Sequence, residues 1–281
     1  MAGEMSGHFF MNDHWDGFDD SIYCAARLLS IISKDSPPEQ GGPKFSERFK
    51  FMPEYPTTDE GKVPLVGERE EVMGAVVSAF LDMPNNKPVA TTRASMEAKI
   101  ASAAANGVTH HGFFIGATPD NVADLQSVAG MDGVCGIKIF MGSSTGDLLV
   151  HEQEHLENIF ANTNGIIATH AEDENRLQSR IPQFKHRTDI AAHAECRDIE
   201  CALIATKRAS ALAKDHDHRL HIVHLTSGVE ADWLATNKGD LITTEVCTQH
   251  LTFDQEDVEK LGVRALMNPP IRYTEDRDTL W

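Results

Sequence analysis

The sequence predicts an α/β protein of the (β/α)8, TIM-type barrel class, with its first and eighth strands not recognisable. Three observations predict it. From about residue 67, strand-like and helix-like patterns alternate, six strands in all, as parallel βαβ units do. Polar residues recur towards the strand ends: Lys138 lies inside one strand, and His170 and His224 close two others. Barrel sites are built at C-terminal strand ends. No GxGxxG follows the first strand and no GxxxxGKS/T occurs, so nucleotide-binding doubly wound sheets lose their main support.

Residues 1–66 read differently from the rest. Ser36-Pro37-Pro38, Gly41-Gly42-Pro43, Pro53, Pro56 and Pro64 punctuate them, and only Ser21 to Ser33 carries helical apolar spacing. This segment is expected to be an atypical N-terminal stretch without a domain core, and 67–281 to be the barrel. Within the barrel, strands are expected at Val76–Leu81, Gly112–Gly116, Val134–Phe140, Gly165–His170, Arg219–His224 and Leu241–Cys247. Helices are expected at Arg93–Asn106, Asn121–Ser127, His151–Asn162, about Asp189–Lys214, Val229–Asn237, Asp254–Leu261 and from near Thr274. A longer excursion separates His170 from the helix that begins near Asp189.

Composition sets limits on partners. The chain of 281 residues is 41% hydrophobic and 24% charged, which fits a globular core. Its net charge of −18 would repel a phosphate backbone, so nucleic acid is not expected as a partner. Five cysteines, without a CxxC pair, indicate neither a disulfide framework nor a cysteine zinc site, and a reducing cytoplasm is expected. No apolar run approaches the roughly 18 residues of a membrane span, and MAGEMSGHFFMNDHWD lacks the regions of a signal peptide. A small-molecule substrate is expected, and a homo-oligomer is possible.

Lys138 poses the main chemical question. An ammonium in a strand buried on both faces is costly unless it is paired, neutralised or modified. It is a salt-bridged structural lysine, a Schiff-base nucleophile, or a lysine carboxylated by CO2 into a metal ligand. Burial lowers a lysine pKa in the direction both reactive roles need. Neutral imidazoles such as His170 and His224 are standard zinc ligands. Glu172 and Asp173 follow His170 and read as acids at a helix N-terminus, or else as partners of the histidine. His216 and His218 form an HxH, but it precedes a strand and reads as a solvated loop at the opposite barrel end. His110-His111 also precedes a strand, and His221 is expected to face another environment from His224. Asn85 and Asn268 lie in loops after strands, as turn residues or as contacts to a polar substrate. Gly142 to Gly146 is a turn or an active-site loop, and the absence of GxSxG removes support for a serine hydrolase.

Six ordered motifs then resemble one family: LDMPNN (81–86), GIKIFMGSSTG (136–146), ATHAEDE (168–174), HIVHLTSG (221–228), TTEVCTQHLTF (243–253) and MNPPIR (267–272). Together they resemble dihydroorotase, of the cyclic amidohydrolase group in the amidohydrolase superfamily, over about 68–281. Hydantoinases and allantoinases are close relatives. The resemblance implies a binuclear zinc centre bridged by a carboxylated lysine, here Lys138, with His170 and His224 as further ligands. It implies substrate-binding roles for Asn85 and Asn268. The implied reaction interconverts dihydroorotate and carbamoyl aspartate in pyrimidine synthesis. Two departures accompany it. The family's HxH should fall near Pro53, in FKFMPEYPTTDEGK, yet no HxH precedes Asp82; His8 and His14 are six apart. The sequence ends at Trp281, ahead of the strand that should carry the family's proton-shuttling aspartate. The expectation is therefore an incomplete or rearranged copy of such an enzyme, or a catalytically inactive binding or scaffolding relative.

Overall fold

The computed structural model describes residues 2–3, 9–10, 79–106, 110–144 and 148–281. The expected helix at 21–33, the Pro53 region and nearly all of the atypical 1–66 segment lie outside the described residues. Two short strands, β1 (Ala2–Gly3) and β2 (Phe9–Phe10), pair antiparallel.

Among the described residues the main sheet holds six parallel strands: β3 (Ala79–Asp82), β4 (His110–Gly116), β5 (Val134–Phe140), β6 (Ile166–His170), β7 (Arg219–Ile222) and β8 (Ile242–Thr244). They lie side by side in chain order. A doubly wound sheet reverses its order at a switch point; a barrel wall does not. The consecutive order is thus of the barrel type, which the polar residues at the strand ends favour.

Alternation along the strands divides the sheet into two faces. Ile137, Ile139, Ile167, Leu220, Ile222 and Ile242 join one continuous core with helix residues such as Met96, Leu156, Ile159 and Leu212. Each such side chain contributes about 1.5–3 kcal/mol on burial. The opposite face carries a smaller cluster of Phe114, Ala168 and Val223. Register places Gly116, Lys138, Ala168, His221 and Thr243 in one row across five strands on that second face. Phe140 and His170 stand opposite each other one step further towards the strand ends.

The helices are α1 (Arg93–Asn106), α2 (Val122–Ser127), α3 (Gln153–Asn162), α4 (Glu174–Phe184), α5 (Ala191–Cys196), α6 (Ile199–Asp215), α7 (Gly228–Asn237), α8 (Thr248–Thr252), α9 (Gln255–Leu261) and α10 (Thr274–Leu280). Local chemistry sets their starts. Asp173 caps α4 by accepting from Arg176 N at 2.8 Å, and Asp198 caps α6 by accepting from Cys201 N at 3.1 Å. Asp254 and Asp257 form a capping box on α9. Leu156, Ile159 and Phe160 give α3 its buried stripe. None of these helices is long and apolar enough to cross a membrane.

Several boundaries differ from expectation. The excursion after β6 contains α4, whose polar residues and Pro182 weaken the helical signal. The single helix expected over Asp189–Lys214 is two, broken at Arg197 and restarted by the Asp198 cap. Strand β4 begins at His110, so the His110-His111 pair lies on the strand, and the His111 ring tilts against Phe113 at 5.7 Å. Strand β8 ends at Thr244, before Cys247.

Gly136 lets β5 and β6 close up. A Cβ there would sit 2.6 Å from Ile166 O and 2.9 Å from the Phe114 ring. Gly136→Ala should therefore cost about 1–3 kcal/mol of stability, the range for overpacking. Urea unfolding of the full chain checks this, and an unchanged midpoint would contradict the packing argument.

Candidate metal and active site

The site forms where β5, β6 and β7 end. Lys138 is 2% exposed, and no carboxylate among the described residues forms an ion pair with it. Its Nζ lies over the Phe140 ring, 4.9 Å from the centroid. Burial lowers its pKa from 10.5 to about 7, with only partial compensation from Glu245 and Cys247. The salt-bridged reading of Lys138 thus has no partner among the described residues, and a large share of the amine is neutral at physiological pH.

His170 ends β6, and its Nδ1 lies 3.1 Å from Nε2 of His224. His224 follows β7 in the left-handed region, with φ 44°, a conformation uncommon for a residue with a side chain. Burial lowers the proton affinity of both imidazoles, and the Lys138 charge lowers it further. For His224 the neighbouring His170 adds to this effect. Both rings are accordingly neutral.

On the far side of His170, Nε2 meets Glu172 Oε2 at 2.8 Å. The carboxylate accepts the Nε2 proton, which leaves Nδ1 as a lone pair directed at His224. Glu172 is fully buried. Burial alone would raise its pKa, but the His170 bond and the Arg197 guanidinium outweigh that and hold it at about 2. The reading of Glu172 as a helix-terminal acid is therefore corrected. Asp173 takes that role, and Glu172 orients the histidine.

The other predicted residues fall as follows. Asn85 is half-buried in the loop after β3, and no hydrogen bond joins it to either histidine. Asn268 precedes Pro269, and its buried Oδ1 has no hydrogen-bond partner among the described residues. Its segment is strapped down on three sides: His193 Nε2 donates to Met267 O at 2.9 Å, His250 Nε2 to Pro269 O at 3.1 Å, and Thr226 Oγ1 to Pro270 O at 2.7 Å. Thr226 is two residues beyond His224, so the strap crosses the end of β7. His221 shares the inner row with Lys138 but bonds Thr243 Oγ1 at 2.8 Å and pairs with Glu245 at 3.3 Å. The HxH does not act as a pair. His216 bonds Glu157, while His218 is buried, edge-on to Phe160. The expectation of a solvated loop thus fails for His218.

No family model matches the chain. Among curated proteins it is 31% identical over 217 residues to an allantoinase of Deinococcus radiodurans, across 73% of this chain and 47% of that protein. It is 29% identical over 208 residues to a dihydroorotase of Methanothermobacter thermautotrophicus, across 71% and 45%. Its homologues are allantoinases and dihydroorotases. The chain spans about half the length of the curated relatives it matches. Among solved structures, the L-hydantoinase of Arthrobacter aurescens superposes with a TM-score of 0.68 at 24% identity, over 74% of this chain and 49% of that one. That likeness supports the barrel fold.

Among the described residues no three His, Cys, Asp or Glu side chains cluster as a metal site. The donor set does fit a metal on another count. Two nitrogens bound to one tetrahedral zinc at about 2.0–2.1 Å stand roughly 3.3 Å apart. The His170–His224 separation of 3.1 Å is close to that. Lys138, once carboxylated, would add oxygen donors.

Sequence reasoning did not single out Arg197, His193, His250 or Arg272. The HxE spacing of His170 and Glu172 was the one local signal for the histidine's partner. Arg197 gave none.

The lowered Lys138 pKa yields a pH test. Between about pH 7 and 10.5 the unfolded chain binds the proton that the folded chain releases, so stability rises with pH across that window. In metal-free, CO2-free buffer, unfolding at pH 9 should be harder than at pH 7 by roughly 2 kcal/mol from this group. Lys138→Met should be more stable than the parent at pH 7 and should lose this rise.

Proposed function

We propose that the chain is a zinc-dependent cyclic amide hydrolase of the dihydroorotase type, interconverting dihydroorotate and N-carbamoyl-aspartate in pyrimidine synthesis. The observation that carries this reading is the meeting of His170 Nδ1 and His224 Nε2 at 3.1 Å beside a buried lysine whose pKa is about 7. Neutral amine is the form that takes up CO2, and the carbamate would replace a buried cation by an anion with oxygen donors for a metal. Lys138, His170 and His224 would hold the metal. Zinc bound there supplies Lewis acidity towards a ring carbonyl.

The chain's own groups do the rest. Glu172 keeps the His170 proton on Nε2 and the lone pair on Nδ1. Asn268 offers a buried acceptor for a ring N–H. Ser143 is anchored through its N and Oγ to Glu174, at 2.6 and 2.8 Å, which holds the start of the loop after β5 close to the site. The GIKIFMGSSTG loop favours dihydroorotate as the ring. Allantoin is the second reading, favoured by the 31% identity to an allantoinase.

Dialysis against zinc, elemental analysis and ring-opening assays on dihydroorotate, allantoin and hydantoin test this. The expected result is bound zinc and turnover of dihydroorotate. His224→Ala should lower turnover at least about 100-fold, equivalent to about 3 kcal/mol of barrier. A chain that retains no zinc would sink the proposal. Zinc without opening of any ring would point instead to a binding or scaffolding relative, in keeping with the lack of an HxH before Asp82.

A further inference from the structure

Arg197 occupies the break between α5 and α6, with its side chain 11% exposed. Its guanidinium is a fork. Nη1 donates to Glu172 Oε2, and Nη2 donates to the carbonyl of Ser143. One side chain thereby joins the carboxylate behind His170 to the loop that leaves the Lys138 strand. Its backbone is held in turn by the 5%-exposed Arg272, whose Nη1 donates to Arg197 O.

The loop is pressed against this junction. A Cβ on Gly142 would lie 2.6 Å from Glu172 O and 2.8 Å from Glu172 Cβ. The loop and the end of β6 therefore have one compatible spacing, and the Arg197 fork bridges it. Glu172 is fully buried, and its Oε2 is shared between His170 Nε2 and Arg197 Nη1. Without the guanidinium the carboxylate would lose the contact that fixes Oε2, and Nε2 of His170 would lose a fixed acceptor.

We propose that Arg197 is a positioning residue. Through Glu172 it sets the tautomer and aim of His170, and through Ser143 it fixes the Lys138-strand loop to the same point. Lysine could supply the charge, but its single ammonium lacks the planar fork that reaches two acceptors on two loops.

The zinc arm of the test rests on the metal-centre reading above; the tautomer arm does not. In the metal-free full chain, long-range 1H–15N NMR of His170, assigned with a His170→Gln variant, should show a single Nε2–H tautomer. Arg197→Lys should keep that tautomer, and Arg197→Met should give a mixture or Nδ1–H. Zinc affinity, from competition with a chromophoric chelator, should weaken about 10- to 100-fold in Arg197→Met and by a smaller factor in Arg197→Lys. The exposed-arginine control Arg93→Met should change neither. An Arg197→Met chain that folds, keeps the tautomer and binds zinc within twofold of the parent overturns the proposal. If Arg197→Met does not fold, Arg197→Lys decides: weakened zinc binding with the tautomer kept supports the fork, and parental affinity overturns it. If the parent chain binds no zinc, the metal reading fails, and the tautomer comparison alone decides the role of Arg197.

Discussion

Burying the amine of Lys138 in β5 without a carboxylate partner among the described residues is the constraint to which the rest of the inner face answers. A charged ammonium there is penalised by desolvation, and Glu245 and Cys247 return only part of the cost. The sheet tolerates it because the proton leaves easily. The same environment keeps His170 and His224 neutral, so three basic groups converge without three positive charges. Mutual repulsion of cations is thus avoided, and the two imidazole nitrogens can approach to 3.1 Å.

Charge is then concentrated one layer outward. Glu172, Arg197 and Arg272 form a sequence of anion and cations behind His170, tied to the backbone of the α5–α6 break. Such groups rarely add net stability, because desolvation offsets their attraction. Their contribution here is directional. They set which imidazole nitrogen carries the proton, a choice that neither the fold nor the hydrophobic core makes.

Much of this was legible in the sequence, because it rests on local patterns. Apolar runs located β5 at Val134–Phe140 with Lys138 inside it, and placed His170 and His224 at the ends of two later strands. Other elements hid for local reasons. Helix α4 is polar and contains Pro182, so its period is faint. Glu172 sits where a helix-terminal acid would sit, and only its bond to His170 shows its task. Arg197 bonds partners 25 and 54 residues away, so nothing near it in the chain announces them.

The sequence by itself determined the alternation of strands and helices and the residue types at the strand ends, since these follow from periodicity within a dozen residues. The tertiary structure alone decided that two imidazole nitrogens, 54 residues apart in the chain, meet at 3.1 Å. It alone decided that His221 shares the Lys138 row while His224 leaves it. The reason is physical: strand register and a left-handed turn at His224 are settled by packing across the sheet, and a one-residue slip would have turned each side chain to the other face.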